Sequence, residues 1–276
     1  MKLSNTEKDR LQSKYGNWAL VTGASSGIGK ELTQQLASAG FNLVIAARRK
    51  GVLYEIAADL QAAYPIKVHT VAGDLSQQPE VENLIEAVRE IPLGLAILNA
   101  GFGTSGKFIE SDIDKEVNML DLNCRSLLML SHHFAQQFAK KQKGGIILLS
   151  SLVGFQGVPN AANYAATKAY VQSLGEALAV ELKPHKVDVL CAAPGPVNTS
   201  FSERANMQMG NVLKPEDIGV PILKALGRKT TVLPGTLTKI LTYSLRTVPR
   251  WAKVKIMNQV MGGMTKHQQH SASSMT

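Results

Sequence analysis

The chain has 276 residues, 45% of them apolar and 18% charged, with 23 Gly, 11 Pro and 2 Cys. This excludes a collagen, a disulfide scaffold and a wholly disordered chain, and it is the profile of one globular α/β domain with a sizeable core. The formal net charge is +9 and unevenly placed: residues 1–200 carry 19 Lys+Arg against 18 Asp+Glu, residues 201–276 carry 11 against 3.

The first 17 residues are mostly polar and contain no apolar h-region, so no secretory signal is expected. No apolar run reaches the ~18 residues of a membrane span. Cys124 and Cys191 read as two buried free thiols of a reduced compartment, which points to the cytoplasm.

Strand and helix patterns alternate. Strands are expected at Trp18–Thr22, Asn42–Ala46, Lys67–Ala72, Leu95–Asn99, Gly145–Ser150 and Lys186–Ala193. Helical patterns follow them: from Ile28 to about Ser38, up to about Tyr64, around Pro79–Val88, over about 112–142 and over about 163–182. Each strand is a continuous apolar run, the pattern of strands buried on both faces of a parallel sheet. Repeated βα units predict an α/β, Rossmann-like doubly wound parallel sheet with helices on both faces. The expected organisation is one catalytic domain over residues 1–233 and a basic amphipathic helical extension over 234–276, frayed in its last dozen residues.

The first strand runs into Thr22-Gly23-Ala24-Ser25-Ser26-Gly27-Ile28-Gly29. Glycines here permit a tight turn and let the backbone approach a pyrophosphate, which the N-terminus of the next helix attracts. A strand before and a helix after give the motif its context. The second strand ends in Ala46-Ala47-Arg48-Arg49-Lys50, where an NAD-binding chain would carry an acid for the ribose 2′-hydroxyl. Arginines can instead fork onto a 2′-phosphate, so the residues favour NADP(H). Asp74, followed by Leu75, can accept from an adenine amino group or cap the next turn. Asn99-Ala100-Gly101 leaves room for a cofactor at the fourth strand's end.

Ser151 follows the fifth strand, and thirteen residues later come Tyr164 and, at i+4 on the same helix face, Lys168. A nearby ammonium favours phenolate, which would lower the tyrosine pKa and make Tyr164 a general acid for a carbonyl oxygen that Ser151 also binds.

Taken together, the Thr22–Gly29 loop, Asp74, Asn99-Ala100-Gly101, Asn123, Ser151, Tyr164 with Lys168, and Pro194-Gly195 resemble the short-chain dehydrogenase/reductases in their compact form, over roughly residues 15–230. The resemblance implies that Tyr164 is the proton donor. Lys168 lowers its pKa and holds the nicotinamide ribose, Ser151 (rather than Ser150) orients the substrate, and Asn123 positions a proton-relay water. It also implies that Pro194, Gly195, Val197 and Thr199 contact the nicotinamide end of the cofactor, and that the absence of an acid at Ala47, with Arg48 following, marks NADP use. Extended members such as sugar epimerases, and enoyl reductases with a longer Tyr–Lys spacing, do not fit.

In such a chain residues 200–214 form a substrate lid; Phe201 and Met207 are the expected substrate contacts, with Met209 and Leu213 beside them. Past Asp217 the chain has no acid but nine basic residues, from Lys224 to Lys266. Residues 234–261 mix these with Trp251, Ile256, Val260 and Met261 around a helix-breaking Pro249. Such a segment can lie on a membrane or dock on its own domain or on a second copy. His132, His133, His267 and His270 lack ligand partners at metal spacing, so no metal is expected.

The expected function is an NADP(H)-dependent oxidoreductase for a lipophilic carbonyl or alcohol, a homo-oligomer, dimer or tetramer, built on the two long helices. Peripheral membrane contact through the extension is a further expectation, and no nucleic-acid partner is expected. The alternative is an NADP(H)-binding sensor or scaffold recruiting a membrane or protein partner.

Overall fold

The computed structural model of the chain describes residues 2–208, 212–245 and 247–273. It opens with a helix absent from the expected elements, α1 (Asn5–Tyr15), capped by the Ser4 hydroxyl, which accepts from the Glu7 amide at 3.4 Å. Leu11 and Tyr15 are its apolar anchors, too few to register as a periodicity. Polar contacts hold the rest. Tyr15 Oη donates to Asp188 at 2.7 Å, Arg10 donates to the carbonyls of Leu223 and Leu226, and Glu7 pairs with Arg228 at 2.7 Å.

The βα units then run β1 (Trp18–Thr22), α2 (Gly27–Ser38), β2 (Asn42–Ala47), α3 (Lys50–Ala63), β3 (Val68–Ala72), α4 (Gln78–Ala87) and β4 (Leu95–Leu98). Next come α5 (Ile113–Leu120), a π-helical turn over Asp121–Ser126, α6 (Leu127–Lys141), β5 (Gly144–Leu149), α7 (Ala162–Glu181) and β6 (Val187–Ala192). The helix expected over about 112–142 is therefore interrupted by a widened turn that contains Asn123. After β6 follow α8 (Ser200–Arg204), α9 (Gly219–Ala225) and a short β7 (Thr231–Val232).

Among the described residues the strands form one seven-stranded parallel sheet in the order β3-β2-β1-β4-β5-β6-β7. Successive side chains of a strand point to opposite faces, so each apolar run feeds two cores. Leu20, Val44, Ala96 and Leu148 pack on one side; Val21, Ile45, Ile97 and Ile147 pack on the other. β3 departs from the expectation of burial on both faces: it is the edge strand, and its residues are half-buried or exposed. The chain order reverses between β1 and β4, and at such a switch point the strand C-termini leave a crevice.

The extension folds into α10 (Thr236–Ser244) and α11 (Arg250–Ser273), with Pro249 just before the start of α11. Among the described residues α11 runs to Ser273, and Gln268 donates to Ser105 Oγ at 2.9 Å and to the Asn206 carbonyl at 2.6 Å; the last three residues of the expected frayed tail lie outside the described residues. α11 docks on the body of the chain: Met257 and Met261 are buried in one cluster with Met119, Val158, Ala161 and Tyr164. Cys124 is half-buried and Cys191 buried, and both are free thiols.

Candidate active site

A cleft of about 650 Å³ opens at the switch point, within the usual size of a ligand site. Of the site residues selected from the sequence, all line it except Gly29 and Asn123. Met209 and Arg246 lie outside the described residues.

The floor of the cleft is the first loop. The Gly23 amide donates to the Ala46 carbonyl at 2.8 Å. Thr22 Oγ1 accepts from the Asn99 and Ala100 amides at 3.0 Å each, and Asn99 Nδ2 donates to the carbonyls of Thr22 (3.0 Å) and Gly23 (3.3 Å). The Asn99 side chain thus pins the loop. Gly29 sits behind it, where a Cβ would collide with the Gly23 carbonyl and the Asn99 amide. Gly27 has φ +57°, a left-handed conformation that favours glycine. Ser26 precedes α2 without capping it through its side chain, so the first-turn N–H groups and the positive end of the helix dipole remain for a ligand. The loop therefore fits a dinucleotide pyrophosphate.

At the end of β2, Arg49 donates to the Ser25 carbonyl and hydroxyl, both at 3.1 Å, and Arg48 stands 3.9 Å from Asp74. Asp74 also closes a turn, accepting from the Ser76 amide at 3.1 Å, the capping role the sequence left open. A third guanidinium, that of Arg204 on α8, lines the same end of the cleft. Sequence reasoning missed it, because nothing local relates Arg204 to Arg48 and Arg49.

At the other end lie Ser151, Tyr164 and Lys168. The Ser150 hydroxyl is spent on the Lys168 carbonyl at 2.9 Å, whereas Ser151 Oγ, only 3.5 Å from the Pro194 carbonyl, faces Tyr164 from the cleft wall. Lys168 is buried, donates to the Leu149 carbonyl at 2.7 Å, and holds its Nζ 5.9 Å from the Tyr164 ring centroid. Burial pushes the Tyr164 phenol up to about 12 and the Lys168 amine down to about 8. This corrects the expectation of a lowered Tyr164. Burial, which disfavours the charged phenolate, outweighs the pull of the Ser151 hydroxyl towards a lower value.

Asn123 is set back from the cleft wall. Its Nδ2 donates to the Phe102 carbonyl (2.8 Å) and Thr167 Oγ1 (3.1 Å), and its Oδ1 accepts from the Phe102 amide at 3.1 Å. It fixes the segment after β4 against α7. Its oxygen also lies beside Gly101, where a Cβ would sit 2.8 Å from it and 3.5 Å from Lys168 Nζ.

Beyond Tyr164 the walls are apolar: Phe102, Val153, Phe201 and Met207, faced by Ile256, Met257, Val260, Met261 and Met264 of α11. The sequence marked α11 as amphipathic, but not as a wall of this cleft. α10 takes part too, with Thr238 Oγ1 accepting from the Gly195 amide at 3.2 Å.

The model of the short chain dehydrogenase family matches residues 17–210. The chain is 31% identical over 233 residues to a 7beta-hydroxysteroid dehydrogenase of Clostridium sardiniense, covering 83% of this chain and 89% of that one. It is 36% identical over 199 residues to a very-long-chain 3-oxoacyl-CoA reductase of Neurospora crassa, covering 70% of this chain and 60% of the relative's length. Among solved structures, a 7beta-hydroxysteroid dehydrogenase superimposes with a TM-score of 0.82 at 27% identity, over 90% of this chain and 98% of that one. A short-chain dehydrogenase from Sphingobium yanoikuyae in complex with NADPH gives 0.78 at 28% identity, over 87% and 95%. The chain belongs to the short-chain dehydrogenase family and is an oxidoreductase.

Proposed function

We propose that the chain is an NADP(H)-dependent reductase, or alcohol dehydrogenase in reverse, for a lipophilic ketone or secondary alcohol. The observation that carries this reading is one cleft with arginines at one end, Ser151, Tyr164 and Lys168 at its centre, and an apolar, methionine-rich chamber beyond. The relatives named for steroid and 3-oxoacyl-CoA chemistry act on substrates of this kind.

In this reading the first loop, Asp74 and Leu75 hold the adenine half of the cofactor. Asn99 to Gly101, Lys168 and the Pro194–Thr199 segment hold the nicotinamide half. NADPH, when bound, supplies the hydride. Tyr164, protonated because its burial favours the neutral phenol, gives its hydroxyl proton to the carbonyl oxygen. Ser151 donates a hydrogen bond to that oxygen and fixes its place. The Lys168 ammonium stabilises the phenolate left behind, and Asn123 keeps the Phe102 segment and α7 in register. The α11 face and Phe201 exclude water from the chamber, which strengthens each of these interactions.

Two features support the remaining assignments. Ile113, Val117, Leu120 and Leu128 expose apolar side chains along α5 and α6, as do Tyr170 and Val180 on α7, which fits a homo-oligomer through these helices. Ile240, Tyr243 and Trp251 are exposed among Lys239, Arg250 and Lys255, which fits a peripheral contact of the 234–276 unit with an anionic lipid surface. No helix among the described residues is long and apolar enough to cross a membrane. Two free thiols accord with a cytoplasmic setting. The sensor or scaffold alternative has no such support. The test is a fluorescence titration with NADPH and NADH followed by a panel of apolar ketones. Selective NADPH binding with turnover of bulky ketones is expected, whereas equal affinity for the two cofactors would overturn the NADP assignment.

A further inference from the structure

α8 joins the two ends of the cleft. Phe201 and Arg204 are three residues apart and therefore share a face of this short helix. The Phe201 ring packs on Tyr164 at a centroid distance of 5.2 Å, while Arg204 lines the arginine end with Arg48, Arg49 and Ser25.

The helix lies across the glycine loop. Ser200 Oγ donates to Ser26 Oγ at 3.4 Å, and the Thr199 methyl packs so closely on Gly27 that a Cβ there would meet it at 3.0 Å. Its base is tied by the bridge between Val197 and Leu213, its far end by the Gln208 amide, which donates to the Met264 carbonyl at 3.0 Å. A shift of α8 at one end of the cleft is thus transmitted to the other.

The three guanidiniums are unevenly satisfied. Arg49 is spent on Ser25 and Arg48 is loosely paired with Asp74, whereas Arg204 is exposed and forms no ion pair with a described carboxylate. Partial desolvation and the charges of Arg48 and Arg49 weaken its hold on its proton, and Glu203 opposes them only in part. A doubly charged anion placed among the three would relieve that repulsion.

Resting on the NADP(H) reading, we propose that Arg204 is the third cation of the 2′-phosphate subsite, so that the 2′-phosphate also sets the position of α8 and of Phe201 over Tyr164. The phosphate that recognises the cofactor would thereby help to build the substrate wall.

Binding of four probes to the full-length chain and to Arg204→Gln tests this: NADPH, NADH, 2′,5′-ADP and 5′-ADP. The variant should lose about 10- to 100-fold in affinity for NADPH and 2′,5′-ADP, the range of one charge-assisted hydrogen bond. NADH and 5′-ADP should change less than about threefold, and Arg204→Lys should restore part of the loss. Equal losses for all four would assign Arg204 to the diphosphate and overturn the proposal, as would no loss at all. Trypsin reads the position of α8 directly: 2′,5′-ADP should slow cleavage after Arg204 in the unaltered chain and 5′-ADP should not. Equal cleavage with both would overturn the coupling. A chain that binds NADH as tightly as NADPH before any substitution defeats the NADP reading itself, whereas a selective chain whose variant remains equally selective defeats only the role of Arg204.

Discussion

The Phe201 ring lies against the Tyr164 ring with centroids 5.2 Å apart and planes inclined by 49°. Gly103 makes the approach possible, because a Cβ there would press on both rings, 2.6 Å from Phe201 and 3.0 Å from Tyr164. The proposed proton donor is thus shielded on one side by a residue of a short helix that also reaches the arginine end of the cleft. The parts of the site proposed for catalysis and for cofactor recognition thus meet on one short helix.

Removing the Tyr164 hydroxyl should separate chemistry from binding. Tyr164→Phe keeps the ring that packs on Phe201, so NADPH affinity should stay within about twofold. Turnover of an apolar ketone should fall by at least ~10²-fold, the lower range for general acid catalysis. Steady-state kinetics beside a cofactor titration decide it; an active variant would rule out Tyr164 as the acid.

Stability should carry the signature of Lys168. Its pKa falls from 10.5 to about 8 on burial, so between these values the unfolded chain binds more protons than the folded one. Stability therefore rises with pH from about 8 towards 10.5, by up to about 3 kcal/mol from this residue. Tyr164 acts in the opposite sense only above its ordinary value of 10.0. Denaturant midpoints of the unaltered chain and Lys168→Met, measured between pH 7 and 9.5, should converge as pH rises. Parallel curves would mean that the amine is not buried in its neutral form.

Gly29→Ala tests the floor of the cleft. The added methyl meets the Gly23 carbonyl and the Asn99 amide that pins the loop, and overpacking of this kind costs about 1–3 kcal/mol. NADPH affinity should fall at least about tenfold, with a Tm lowered by several degrees. Unchanged binding by calorimetry would show that the loop gives way without consequence.

Val260→Trp tests α11 as a substrate wall. Val260 is 43% exposed and lines the cleft, so a larger side chain can be housed without overpacking the core. The KM for a bulky ketone should rise more than that for a small one, while NADPH affinity is unchanged. Equal KM effects would place substrate elsewhere.

Much of the fold and of the site is legible in the amino-acid sequence, for local reasons. The strands declare themselves by continuous apolar runs, and the glycine loop by its place between a strand and a helix. Tyr164 and Lys168 are linked because four residues along a helix is one turn. Spacing within the family pattern already favours Ser151 over Ser150; the fold adds the reason, since the Ser150 hydroxyl is consumed by the Lys168 carbonyl, a contact between two elements. The Tyr164 pKa likewise depends on burial, which no i+4 spacing reports.

What the sequence alone determined, then, is the set of parts whose meaning lies within a turn or a strand: the βα order, the glycine loop, the arginines after β2 and the Tyr–Lys pair. Only the tertiary structure decided which surfaces meet. α1 was invisible because two apolar anchors and a few long-range polar contacts, among them the Glu7–Arg228 ion pair, hold it. α11 advertised an amphipathic face without naming its partner, and folding placed Met257 and Met261 against Tyr164 and Ala165 of α7. Arg204 joined Arg48 and Arg49 because α8 returns across the glycine loop. Periodicity records that a face will be buried; which face it is buried against is set by chain closure over long separations, and that information exists only once the sheet has formed.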